Sequence, residues 1–508
     1  MESLPSEILS AIFTLAADED VLFHHVLPTS MAGSVWFRNT LGLWSLRSPG
    51  EALNVLQRRS YSTKKSIILT CKTFHRVGYE LFFHCLFFNG PSKLTGLCAI
   101  LDSNKSDPSP GWWTKRLHLT SYSDAALSPE SANALSTIIR HCPNLEIMVM
   151  SFPASSSAFT PVADTISTYV RRTIHTLNLN IPVSSLSKLI WMLSSLPLLT
   201  SAYFSFRSLK GLDDEDDPPL GAAESIVLSL PRLTQLSLYG NTAQFLEQTL
   251  NWTLPSLRVL SLNTFQSDIL PVLDVHGSKL TLLDVTCSHP IAMDLVLQRC
   301  PSLEAVCFNA DWRIEGQMMH DKVRVVGLHG LSLAFTAVKK DGASQLALLD
   351  SMIRRANDSN FTAVLDKANF PKLARVRVLS PNVLTVLEKN GAPESAPPNE
   401  YGYIDELEDG LKRWERWWDM CYKAGVRLED CTGGVLGLLP GEEEDDVEED
   451  EDEDEDEDEE EDEDEEEDED LSWEYEVPPM EREDTSGVGE LRKLIEECRQ
   501  MELERDTF

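Results

Sequence analysis

Apolar residues recur along this chain in a fixed phrase. Leu-Pro-x-Leu-x-x-Leu-x-Leu occurs as LPRLTQLSL (230–238) and LPSLRVLSL (254–262), whose anchors Leu233 and Leu257 are 24 residues apart. Looser copies centre on Leu145, Ile174, Leu199, Leu280, Leu303, Val323 and Leu373, with a degenerate one at WTKRLHL (113–119). A unit of this length predicts one supersecondary element stacked many times. Within each copy apolar and polar residues alternate, which predicts a strand with its leucines inward and the intervening residues outward. That register turns Gln235, Ser237 and Tyr239 outward, with Thr176, Asn178 and Asn180, then Ser201, Tyr203 and Ser205. Further along it does the same for Asp284 and Thr286, Cys307 and Asn309, and Arg375 and Arg377. Helical spacing fills the intervals, as in SANALSTIIRHC (131–142) and AMDLVLQRC (292–300).

The front of the chain has a different period. LPSEILSAIFTLA (4–16) predicts a helix with Pro5 in its first turn and Ile8, Ile12 and Leu15 on one stripe, widened by Leu9, Phe13 and Ala16. Residues 66–88 predict a second amphipathic helix, and the punctuation at Pro28, Gly33, Pro49 and Gly50 makes 18–65 an irregular insert. Anchor spacings of 20 to 34 residues, with one gap of 50, read as an irregular leucine-rich-repeat solenoid, a horseshoe of α/β class, carrying loop insertions such as DDEDDPP (213–219). Three parts follow: a helical domain over 1–90, the solenoid over 112–435, and a tail over 436–508. A Pro-rich break at 391–401 precedes the solenoid's C-terminal cap from about 405, where Trp414, Trp417 and Trp418 share a helix face and read as packing rather than a ligand cage.

The net charge of −38 changes meaning once located. Residues 442–470 are acidic at every position but Val447; removing those 28 charges leaves −10 on the rest. The tract predicts disorder, and GELRKLIEECRQMELE (489–504) beyond it reads as a transient helix in a disordered tail or a helix for docking a partner. With no basic stripe, direct nucleic-acid binding is excluded. The ten scattered cysteines include no C-x-x-C pair, which points to a reducing compartment and no structural metal. Neither a signal peptide nor a membrane-spanning run is legible, so the expected location is soluble, in cytoplasm or nucleus. The zincin, nucleophile-elbow, P-loop and dinucleotide motifs are missing. The expectation is a non-catalytic protein without cofactor.

The two front segments together resemble an F-box. The opening matches at Leu4, Pro5, Glu7, Ile8, Ile12 and Phe13, and the closing phrase at Leu69, Cys71, Lys72, Phe74 and Leu81, with 18–65 as an insert the usual pattern lacks. Similar expanded linkers occur in fungal F-box-like proteins. The resemblance implies that these helices dock on the Skp-family adaptor of an SCF-type cullin–RING ubiquitin ligase, and that the repeats hold a protein substrate. Candidate substrate contacts are Asn178, Tyr203, Gln235, Tyr239, Asp284, Asn309, Arg375 and Arg377, the two arginines being suited to a phosphate. Repeats followed by an acidic tail also resemble the acidic leucine-rich nuclear phosphoproteins, which implies as the alternative a chaperone-like protein binding histones or other basic partners.

Overall fold

A computed structural model describes residues 4–435, apart from 18, 34, 39–43, 48, 89, 104–108, 121–126, 153, 208–219, 265–268, 288–290, 313, 315–318, 332–343, 381–382 and 384–415. The repeated phrase has a simple local basis. In Leu230-Pro231-Arg232-Leu233 the last N–H donates to the first carbonyl at 3.2 Å, and the same turn forms at 142–145, 196–199, 254–257, 300–303 and 370–373, at 3.1–3.4 Å. Proline sits second in each, where its fixed φ suits a turn. The anchor leucine is buried, and the chain then enters a strand.

Twelve strands follow in order: β3 (Cys85–Phe88), β4 (Arg116–Leu119), β5 (Ile147–Met150), β6 (Thr176–Pro182), β7 (Ser201–Arg207), β8 (Gln235–Gly240), β9 (Val259–Thr264), β10 (Leu282–Cys287), β11 (Ala305–Asn309), β12 (Val325–His329), β13 (Arg375–Val378) and β14 (Arg427–Glu429). They form one all-parallel sheet in which each strand pairs with its neighbours in sequence. Before them, β1 (Val35–Arg38) and β2 (Trp44–Arg47) make an antiparallel pair of their own.

Register aligns like positions. Leu236, Leu260 and Leu283 are mutual neighbours across β8, β9 and β10, as are Leu238, Leu262 and Val285, and all six belong to one continuous apolar core. The connecting helices α5 (Leu94–Ser103), α6 (Pro129–His141), α7 (Ser156–Tyr169), α8 (Leu186–Ser194), α9 (Ala243–Thr249), α10 (Leu270–His276) and α11 (Met293–Arg299) bury their apolar faces in the same core, and α12 (Ser344–Leu365) contributes Phe361, Val364 and Leu365 to it. Ser128 and Ser155 cap α6 and α7 by accepting from the backbone N–H three residues on.

The expected architecture requires correction. Instead of a separate helical domain joined to a leucine-rich-repeat horseshoe, the molecule has one strand-rich, twelve-stranded parallel sheet of α/β class, and that sheet begins inside the front segment. The stretch expected as one helix over 66–88 is three elements. Helix α3 (Pro49–Thr70) runs out of the supposed insert, α4 (Lys72–Phe83) follows after a break at Cys71, and CLFF (85–88) is strand β3. Cys71 is fully extended (φ −160°, ψ 167°), and its Sγ accepts from the Phe74 N–H at 3.4 Å, capping α4. A four-residue apolar run fits both a helix face and a buried strand, and here pairing with β4 decides it. A horseshoe calls for a short uniform unit, whereas these strands of three to seven residues are joined by helices of unequal length.

Helix α1 (Ser6–Ala16) lies against α3 and α4, and α2 (Glu19–Leu22) leads from it onto the sheet. At the other end residues 416–424 are helical. There Trp417 is buried, stacks on Phe361 at 5.2 Å and donates to Asp358 at 3.1 Å, while Trp418 is half exposed and stacks on Tyr422. Trp414, the 213–219 insertion, the 391–401 break, the acidic tract and the 489–504 segment lie outside the described residues. No helix among the described residues is long and apolar enough to cross a membrane.

Candidate functional site

Two surfaces bring the sequence-predicted residues together. The first is α1, which starts at Pro5 (φ −53°, ψ 146°), where the missing N–H costs nothing. Leu9, Phe13 and Ala17 face inward and are buried with Leu81, and the Phe13 ring meets Phe74 edge-on at 4.9 Å. Close approach of α3 and α4 depends on Gly78, where a Cβ would lie 3.0 Å from the Ile68 Cγ2 and 3.2 Å from the Ile67 Cγ2. The stripe of α1 beside this buried one is turned to solvent among the described residues: Ile8, Ile12 and Leu15 are 48, 46 and 68% exposed, and Leu4, just before the helix, is 55% exposed. Leu69 at the end of α3 is likewise exposed, as are Glu7, Cys71 and Lys72. The F-box-like positions therefore divide. Phe13, Phe74 and Leu81 hold the helices together, while Leu4, Ile8, Ile12 and Leu69 are turned to solvent.

The second surface is the sheet face opposite the connecting helices. Alternation does turn Gln235, Asp284 and Arg377 onto this face, but they are not exposed: their relative exposures are 1, 9 and 6%. The expectation of an open face is corrected here, because the segment 22–33 lies across it. Arg116 on β4 donates to the Leu22 carbonyl. Thr176 on β6 donates to the His25 carbonyl at 2.7 Å. Gln235 on β8 holds both backbone groups of Leu27, accepting from its N–H at 2.9 Å and donating to its carbonyl at 3.0 Å. Asp284 on β10 accepts from the Ser30 hydroxyl. Arg377 on β13 donates to the Met31 carbonyl at 2.7 Å. The contacts run in the same order along both chains, so the segment is a strap crossing from β4 to β13.

Electrostatics anchor the strap at both ends. At its start the Glu19 carboxylate is buried against Lys64 (2.6 Å) and His84 (3.0 Å). Burial alone would raise the Glu19 pKa, but the His84 ring and the Lys64 ammonium outweigh it and hold it below the ordinary value. Burial, then the neighbouring Arg116 guanidinium, push His118 well below an ordinary histidine, so its ring is neutral. Burial and His175 push His25 down too, against the pull of Glu146 at 3.8 Å. At the far end Arg377 is clamped by the Glu429 carboxylate (2.9 Å), which also faces Arg375 at 3.6 Å and Arg427 at 3.4 Å. Both arginines suited to a phosphate are thus already ion-paired. Beside them burial, then the Asp284 carboxylate, raise the Cys307 thiol well above its usual value.

Of the other candidates, Asn178, Tyr203, Tyr239 and Asn309 are half-buried and Arg375 is exposed. Sequence reasoning missed Arg116 as a strap ligand, and with it Leu22, Leu27 and Ser30. The one available signal was the set of long hydrogen-bonding side chains at outward strand positions.

As chemistry, the face is a row of side chains that hold the backbone of the strap. Burial pushes the thiols of Cys142, Cys300, Cys421 and Cys431 up to about 12, so they are not nucleophiles at neutral pH. Among the described residues no three His, Cys, Asp or Glu are grouped to hold a metal ion. In comparison with known proteins, no family model matches the chain, and no curated protein matches it.

Proposed function

We propose that the chain is a non-catalytic recognition subunit, which docks through α1 on a Skp-family adaptor of a cullin–RING ubiquitin ligase and presents a protein substrate bound at the sheet. One observation carries this reading: three large apolar side chains stand outward on the very helix whose sequence resembles an F-box opening, with Leu4 exposed just before it. Leu9 and Phe13 already satisfy the packing of α1, so the fold itself does not require Leu4, Ile8, Ile12 and Leu15 to be apolar. Water-exposed apolar stripes of this kind mark association surfaces. The contribution to the reaction is proximity, which raises the effective concentration of substrate lysines near the ubiquitin carrier. The chain works in cytoplasm or nucleus on this account.

The test is a pull-down of the adaptor with the intact chain and with an Ile8→Asp, Ile12→Asp variant. Capture by the intact chain and none by the variant is expected. Equal capture by both, or none by the intact chain, removes the reading. The acidic tract favours a second activity, binding of basic proteins through 442–470.

A further inference from the structure

The strap over 22–33 is an unusual occupant for the face it covers. Its backbone is not paired as a strand; side chains from five separate strands hold it, four of them through its backbone groups. Two strap side chains are also read: the Ser30 hydroxyl donates to Asp284, and the His25 ring lies 4.6 Å from His175 and 3.8 Å from the Glu146 carboxylate. Leu27 is 7% exposed and sits where Gln235 grips both its N–H and its carbonyl. The segment bends at His25–Val26 and ends in a turn, where the Ala32 N–H donates to the Thr29 carbonyl at 2.9 Å, and the long side chains of Arg116 and Arg377 reach its two ends.

We propose that this face is a docking surface for a peptide segment of a partner protein, and that residues 22–33 are a built-in occupant which the partner displaces. Four of the five strand contacts read backbone, so they hold a segment that follows the same path and offers carbonyls in the same rhythm. Three positions add selectivity: a ring at the place of His25 to face His175 and Glu146, an apolar side chain at the place of Leu27, and a hydroxyl three residues after it to donate to Asp284. Arg116 and Arg377 supply only donors, and they meet carbonyls whichever chain is present. The inference rests on the reading of the sheet as the partner-binding surface. It does not depend on α1 docking, and its test contains no ligase adaptor, so the two can fail separately.

The probe is a fluorescein-labelled peptide of residues 20–33, followed by anisotropy against the full chain. Against the intact chain its binding is weak, because the strap holds the face. Against Leu27→Asp, whose own strap is loosened, it tightens at least tenfold. Adding Gln235→Ala to that variant reverses the gain at least tenfold. If Leu27→Asp, folded by circular dichroism, binds no more tightly than the intact chain, or if Gln235→Ala leaves its affinity unchanged, the proposal is wrong. Should Leu27→Asp fail to fold, hydrogen exchange of the unaltered chain decides. A displaceable strap exchanges its amides at least 100-fold faster than β8 and β9. Protection of 22–33 equal to that of those strands makes it a fixed part of the fold and overturns the proposal.

Discussion

Replacing Gln235 by leucine isolates the strap from the sheet beneath it. Six hydrogen bonds tie 22–31 to the strands, contributing about 1 kcal/mol net for each of the three neutral ones and about 2 for each of the three to Arg116, Asp284 and Arg377. Burial of Leu22 and Leu27 adds about 2 kcal/mol each. Ordering these ten backbone positions costs about 1 kcal/mol apiece, so only about 3 kcal/mol holds the strap down. Gln235→Leu removes two of the bonds and strips Leu27 of both backbone partners, a loss of about 2–4 kcal/mol. A marginal element gives way before the sheet does. The leucine itself suits a parallel strand, and the released strap finds water. The expected result is exchange of amides in 24–33 at least ~30-fold faster, each 1.4 kcal/mol being tenfold, with β8 and β9 protection unchanged. The assay is hydrogen exchange read by mass spectrometry. Equal acceleration in strap and strands, or no acceleration in either, refutes the reasoning.

Three further outcomes follow from single sites. Stability falls with acid: the buried, neutral His118 keeps a pKa below its ordinary 6.5, so its contribution is complete above about pH 6.5 and is lost as pH drops from there toward the lower folded value. The slope is at most about 1.4 kcal/mol per pH unit, and denaturant melts between pH 7 and 5 should be flatter for His118→Gln. Gly240 has φ +90°, and a Cβ there would lie 2.2 Å from the Phe206 carbonyl oxygen, so Gly240→Ala should cost about 2–4 kcal/mol in the same melts; a loss under 1 kcal/mol contradicts that geometry. Deleting 442–470 removes 28 acidic residues, and should abolish salt-sensitive binding to histones or polylysine, read by titration at low and high salt; retained binding places it elsewhere.

How much could be read without coordinates differs between strands, front and strap. The Leu-Pro-x-Leu phrase marks β8 and β9 because each step is local: a proline turn, a buried anchor, then alternation that places Leu236 and Leu238 inward and Gln235 outward. The front was legible as amphipathic but not as architecture. CLFF (85–88) satisfies a helical stripe and a strand equally, and only pairing with β4 settles it. The strap was illegible in principle. Leu27 meets Gln235 across 208 residues, and Met31 meets Arg377 across 346. A segment held by side chains rather than by its own ladder leaves no period to detect. Exposure of Gln235, Asp284 and Arg377 failed for that reason, although their side of the sheet was read correctly. On α1 the same periodicity that marks a helix could not tell which apolar residues face the fold: Phe13 does, Ile8 and Ile12 do not.

That division makes the choice of variant decisive for the central claim. Phe13→Asp would disturb the packing with Phe74, whereas Ile8 and Ile12 are about half exposed and can be changed without touching the core. Covering each contributes about 1 kcal/mol, and an aspartate buried in its place costs more. The measurement is calorimetric titration of a purified Skp-family adaptor into the full chain and into Ile8→Asp, Ile12→Asp. Saturable binding to the former and at least ~100-fold weaker binding to the latter are expected, with both melting at the same temperature. Absence of binding by the full chain, or equal affinity for the two, contradicts it.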